Sequence, residues 1–160
     1  MFDWAHIHVM INHLPIIGLP IAAAVLALGM AQRSRDLLLA AALLTVVIGA
    51  SSFAVKQTGE RAEEAVEELA WADHETIHDH GEAGEKATIA ALVAALTAAV
   101  VGWRLRGQAV ITLGGPAVLL VLLLATAGLM AWTGLEGGEI RHDEFGAPAA
   151  ANPSTTPPGT

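Results

Sequence analysis

The chain has 160 residues, 54% of them hydrophobic and only 15% charged, with a mean hydropathy of +0.54 and a formal net charge of −8. So apolar a composition excludes an ordinary soluble domain, and the acidic balance excludes a nucleic-acid partner, because phosphate binding needs clustered Lys and Arg. The absence of cysteine excludes disulfides, thiolate-ligated iron–sulfur clusters and covalently attached c-type haem, leaving non-covalent haem b and histidine or carboxylate metal sites.

The N-terminus, Met1-Phe2-Asp3-Trp4, lacks the basic n-region of a signal peptide, so the apolar run that follows is expected to be a retained span. Four such runs extend from Val9 to Ala31, Leu37 to Val55, Ala87 to Trp103 and Ala109 to Leu135. At ~1.5 Å per helical residue, ~20 residues cross a ~30 Å hydrocarbon layer. The third run is short, and a helix starting in the segment before it would supply the missing turn. No Asp, Glu, Lys or Arg lies within any span, which argues against a proton pump or an ion-coupled transporter. Pro20 is expected to kink the first span, and Pro116 to disturb the fourth less because it lies near its end.

Between the spans, Arg33 and Arg35 occupy the first short connection and Arg104 and Arg106 the third, so both are expected to be cytoplasmic. Both termini and the segment from Lys56 to Lys86 then lie outside, with all of the sixteen acidic residues except Asp36. Trp4, Trp103 and Trp132 fall at span ends, as interfacial aromatic residues do. In the outer loop, Ala62, Ala65, Val66 and Leu69 recur at helical spacing opposite Glu60, Glu63, Glu64, Glu67 and Glu68. That pattern predicts a short amphipathic helix on the membrane surface or against the bundle. From Gly146 the tail is Pro, Ala, Ser, Thr and Gly and is expected to be disordered. The predicted architecture is an all-α integral membrane four-helix bundle over 1–145, followed by a tail over 146–160.

The seven histidines all map to the outer half of this topology: His6, His8 and His13 at the first span, His74, His78 and His80 before the third, and His142 after the fourth. Three chain segments thus deliver imidazoles to one face. His13, about one turn inside its span, needs a partner such as Asn12, a backbone carbonyl, a ligand or another histidine, since an unpaired polar group is costly there. His74-Glu75-Thr76-Ile77-His78 satisfies the His-Glu-x-x-His pattern, in which two histidines one turn apart hold zinc and the glutamate is a general base. Glu82, Glu85, His80 or His142 could supply a third ligand there. No substrate cleft accompanies the motif, no nucleophile–base constellation or phosphate-cradling loop occurs elsewhere, and an enzyme is not the favoured reading.

The stretch His8-Val9-Met10-Ile11-Asn12-His13-Leu14-Pro15-Ile16 resembles an uncharacterised family of bacterial four-helix membrane proteins. Their first span opens with His-Pro and, five residues after that histidine, His-Phe-Pro-Ile; the match covers His8, His13, Pro15 and Ile16, with Val9 and Leu14 as departures. Thr58-Gly59-Glu60-Arg61-Ala62-Glu63-Glu64, Gly137-Gly138-Glu139-Ile140-Arg141-His142 and a histidine near the third span, His80, also look like segments of such proteins. The resemblance runs over nearly all of the chain before the tail. It implies a bacterial cytoplasmic membrane location, and similarity to cytochrome-associated bundles implies a redox role beside a respiratory or cytochrome partner.

The expectation that follows is haem b or a metal bound at the outer face by His13, His80 and His142, with His8 as a further ligand. Neutral imidazole suits haem iron, copper and zinc. A second expectation, from the small-residue packing surfaces and the missing intramembrane charge, is a structural or assembly subunit of a larger complex. A third is zinc or copper binding at the outer face by His74 and His78.

Overall fold

The computed structural model describes residues 3–67 and 73–140. The regular structure among the described residues is entirely helical: α1 (Trp4–Ile11), α2 (His13–Gln32), α3 (Arg35–Val66), α4 (His74–Gly107) and α5 (Gly114–Glu139). With α1 and α2 taken together, four helices are long and apolar enough to cross a membrane. The tail, Glu68, Leu69 and His142 lie outside the described residues.

The interruption between α1 and α2 follows from Pro15. Proline has no N–H, so the carbonyl of Ile11 loses its helical donor, while the bond from Ile16 N to Asn12 O stretches to 3.5 Å. Asn12 nevertheless keeps right-handed helical torsions (φ −62°, ψ −24°), so Trp4–Gln32 runs on as one 29-residue stretch. Asp3 caps it, accepting from His6 N at 2.8 Å. The helix continues through Pro20 and ends at Arg33, a non-glycine residue in the left-handed region (φ 51°), where Ser34 N reaches back to Gly29 O at 2.9 Å. Ser34 then caps α3 through Leu37 N. The first connection is therefore a two-residue turn.

The amphipathic stretch is not a separate helix. It forms the last turns of α3, which continues to Val66 because nothing between Val55 and Glu60 breaks it. Lys56 pairs with Glu60 one turn on, Gln57 donates to the same carboxylate at 3.0 Å, and Ala62 is buried. The same economy lengthens the third span: α4 starts at His74 on an Asp73 cap, which accepts from Glu75 N at 3.0 Å and Thr76 Oγ1 at 3.1 Å. The fourth span is shorter at its start than its apolar run. Residues from Ala109 to Leu113 form a connection in which the Gln108 side chain accepts from Thr112 N, and α5 begins at Gly114. Pro116 falls in the first turn of α5, where its missing N–H costs no helical bond. Arg35 donates to the carbonyl of Gln108, tying the two arginine-bearing connections together.

Packing runs α2 to α3, α3 to α4, α4 to α5 and α5 back to α2, with α1 lying on α3, so α2 and α4 oppose each other diagonally. Large aliphatic residues such as Val47, Leu96 and Val121 face outward, while much of the interior is Ala, Gly and Thr. Small residues let the helix backbones approach closely beside the buried leucines Leu19, Leu26, Leu38, Leu105, Leu119 and Leu123. Gly49 illustrates it: a Cβ there would sit 2.6 Å from Ala91 O and 2.9 Å from Ala95 Cβ.

The two hairpins, α1–α2–α3 and α4–α5, repeat one pattern. Pro15, Leu19, Ala22, Ala23, Leu26 and Gly29 are the buried residues of α2. At one constant shift they coincide with Ala87, Ala91, Ala94, Ala95, Ala98 and Val101, all buried in α4. The same shift carries His8 onto His80.

Candidate functional site

The six described histidines all sit at one end of the bundle, on the starts of α1, α2 and α4, but only two of them meet. His8, in the second turn of α1, and His80, in the second turn of α4, are half-buried and approach from opposed helices, with ring centres 6.2 Å apart and ring planes at 85°.

Each ring is tied down in the same way. His8 Nδ1 lies 3.1 Å from the carbonyl of Val55 on α3, with Thr58 Oγ1 at 3.4 Å, and His80 Nδ1 lies 3.0 Å from the carbonyl of Thr133 on α5. A carbonyl can only accept, so Nδ1 carries the proton in both rings and donates it. Nε2 of each neutral imidazole is thereby left with its lone pair. The shared arrangement extends to glycine: Gly59 and Gly137, each one turn after the accepting carbonyl, lie against the rings of His8 and His80 respectively. Asn12, one turn after His8 on the same side of the helix, has a buried Oδ1 with no hydrogen-bond partner among the described residues.

The other histidines stand apart from this pair. His13 is exposed, and its Nδ1 bonds the Val9 carbonyl of its own helix at 2.9 Å. The residue of the first span that meets His80 is His8, because at ~100° per residue His8 and His13 are separated by about 140° around a continuous helix. His6 is exposed against Asp3, 2.9 Å away. His74 and His78, the histidines of the His-Glu-x-x-His stretch, are exposed, with Glu67 and Glu82 carboxylates each 3.7 Å from a ring nitrogen. Among the described residues, no group of three or more His, Asp or Glu converges as an ion site. His142 lies outside the described residues.

Sequence reasoning names both His8 and His80 but misses what holds them. The accepting carbonyls carry no side-chain signature. Gly59 and Gly137 do leave one, a glycine on the polar end of an otherwise well-formed helix, though only the paired geometry gives it meaning. No protein-family model, curated protein or solved structure matches this chain.

Proposed function

We propose that this chain is a multi-pass protein of the bacterial cytoplasmic membrane that holds haem b between His8 and His80 and passes single electrons at its extracytoplasmic side. The observation that carries the reading is the His8–His80 pair, two imidazoles from diagonal helices, each with Nδ1 bonded to a carbonyl and Nε2 without a hydrogen bond among the described residues. That second bond is what orients a ligating histidine and raises its basicity.

The number of ligands favours haem over a bare ion. A porphyrin supplies four of its iron's six ligands, so the two imidazoles that meet among the described residues would complete the set, whereas a zinc or copper site would call on a third protein ligand. The two ring centres lie 6.2 Å apart with their planes at 85°, so both imidazoles would be within reach of one haem iron held between them. Asn12 Oδ1 is a further polar atom that awaits a partner at this level of the bundle. When bound, haem would supply one-electron redox chemistry. His8 and His80 would hold and orient it, and Val55 and Thr133 would keep their tautomers fixed. The arginine-bearing connections support a cytoplasmic position for the opposite end of the bundle, and on that reading the electron partner is a respiratory or cytochrome protein on the outer side.

The test is a visible spectrum of the purified protein, oxidised and dithionite-reduced, with elemental analysis of the same sample. A Soret band that His8→Ala and His80→Ala each shift or abolish is the expected result. A colourless protein without iron, which co-purifies with a larger complex and tolerates both substitutions, would instead be an assembly subunit.

A further inference from the structure

We infer that Gly59 and Gly137 are positioning residues for the histidine pair, kept as glycine so that an imidazole can occupy the space of their missing side chains. In an α-helix the carbonyl of one residue already accepts the N–H four positions later. The carbonyl of Val55 therefore faces Gly59, and that of Thr133 faces Gly137. The imidazoles of His8 and His80, second donors to these carbonyls, come in over Gly59 and Gly137. Any side chain there meets the ring. A Cβ on Gly59 would lie 3.1 Å from His8 Cε1 and 3.3 Å from its Nδ1; on Gly137 it would lie 2.8 Å and 3.1 Å from the same atoms of His80.

Two features separate this from ordinary helix packing. The arrangement occurs twice, on α3 and on α5, with the same one-turn offset between carbonyl and glycine and the same ring atom in contact. A glycine inside a helix is also unfavourable relative to alanine, and at these two positions it coincides with a ring in contact. The neighbouring Gly138 supplies the control, since a Cβ there meets nothing within 4 Å. Crowding at Gly137 is the tighter, and His80 is the ring with a single polar contact, so the effect is larger there than at Gly59.

The inference deepens the haem reading and rests on it for its consequence, though its first readout needs no haem. In protein labelled with ¹⁵N-histidine, His8 and His80 are expected to show a protonated Nδ1 and a bare Nε2. Gly137→Ala should shift His80 away from that tautomer, Gly59→Ala should do the same to His8 to a smaller degree, and Gly138→Ala should change neither. In haem-loaded protein, Gly137→Ala should lower haem affinity roughly 10–100-fold, as loss of an outer-shell partner of a ligating histidine does, and shift the midpoint potential. Unchanged tautomers in both alanine variants would overturn the positioning role even if haem binds. The expected tautomer shifts in a protein that never takes up haem would keep the positioning role and sink the haem reading. Gly59→Ala, the milder insertion, decides the matter if Gly137→Ala does not fold.

Discussion

The two hairpins bury the same positions with different side chains, and the difference explains the shape of the bundle around the histidines. In α2 the interior carries Leu19 and Leu26; at the matching positions α4 carries Ala91 and Ala98. The hairpin with small residues is met by a helix that comes close, since Gly49 on α3 rests against Ala91 and Ala95. Ala127 holds the corresponding place on α5, where the facing helix has the larger side chain. Bulk thus moves from one interface to the other while the ends stay alike. At the histidine end both hairpins converge on one solution: imidazole on the first helix, carbonyl and glycine on the second.

If that convergence is what creates the site, the two histidines are equivalent in need, and the largest effects come from breaking either one. His8→Ala and His80→Ala should each shift the Soret band or lose it with the haem, and to a similar extent, because each removes one of the two imidazoles that would hold the iron. His78→Ala, two residues before His80 but exposed against Glu82, should leave the spectrum unchanged. The contrast between neighbours on one helix is the sharpest form of the comparison; equal losses at His78 and His80 would break it.

Much of this is legible in the sequence, and what is not has a physical cause. The four apolar runs, the paired arginines and the one-sided histidines reveal the helix order because each is a property of composition. Helix length beyond the apolar run is less visible. α3 carries on to Val66 and α4 starts at His74 through ion pairs and caps, which hydropathy does not register. Among the histidines, spacing favours His74 and His78, yet burial selects His8 and His80. That choice depends on helix phase, and phase in turn depends on Asn12 remaining helical ahead of Pro15. The diagonal pairing of α2 and α4 is a tertiary fact with no local trace.

Smaller effects probe the exchange of bulk between the hairpins. Leu19→Ala converts an α2 position into its α4 counterpart without giving α5 the glycine that would let it close in. The cavity should cost about 2–4 kcal/mol, read as a lowered unfolding midpoint in a denaturing-detergent titration, with haem content kept in the folded fraction. Gly49→Ala is the reverse error, a methyl group forced against backbone. Because the nearest atom is the Ala91 carbonyl oxygen and cannot rotate away, α3 and α4 must separate. A loss of about 1–3 kcal/mol is expected from overpacking, outweighing the gain in helix propensity. Neutral behaviour at Gly49 would mean the α3–α4 approach has slack.

The smallest effect distinguishes the hairpins at their other end. The first turns back in two residues, at the expense of placing Arg33 in the left-handed region; the second spends the stretch from Gln108 to Leu113 on its connection and needs no such conformation. A side chain at positive φ is crowded by its own Cβ, at a cost of about 1–2 kcal/mol. Arg33→Gly removes that crowding and adds some backbone freedom to the unfolded chain, so the net should be a stabilisation of about 0.5–1 kcal/mol. The same substitution deletes a positive charge from a connection whose proposed orienting role is shared with Arg35, Arg104 and Arg106. A raised unfolding midpoint with unchanged accessibility of the two termini would separate the role of Arg33 in the turn from its role in topology. A lowered midpoint would mean that the Arg33 side chain contributes more at this end than its backbone strain removes.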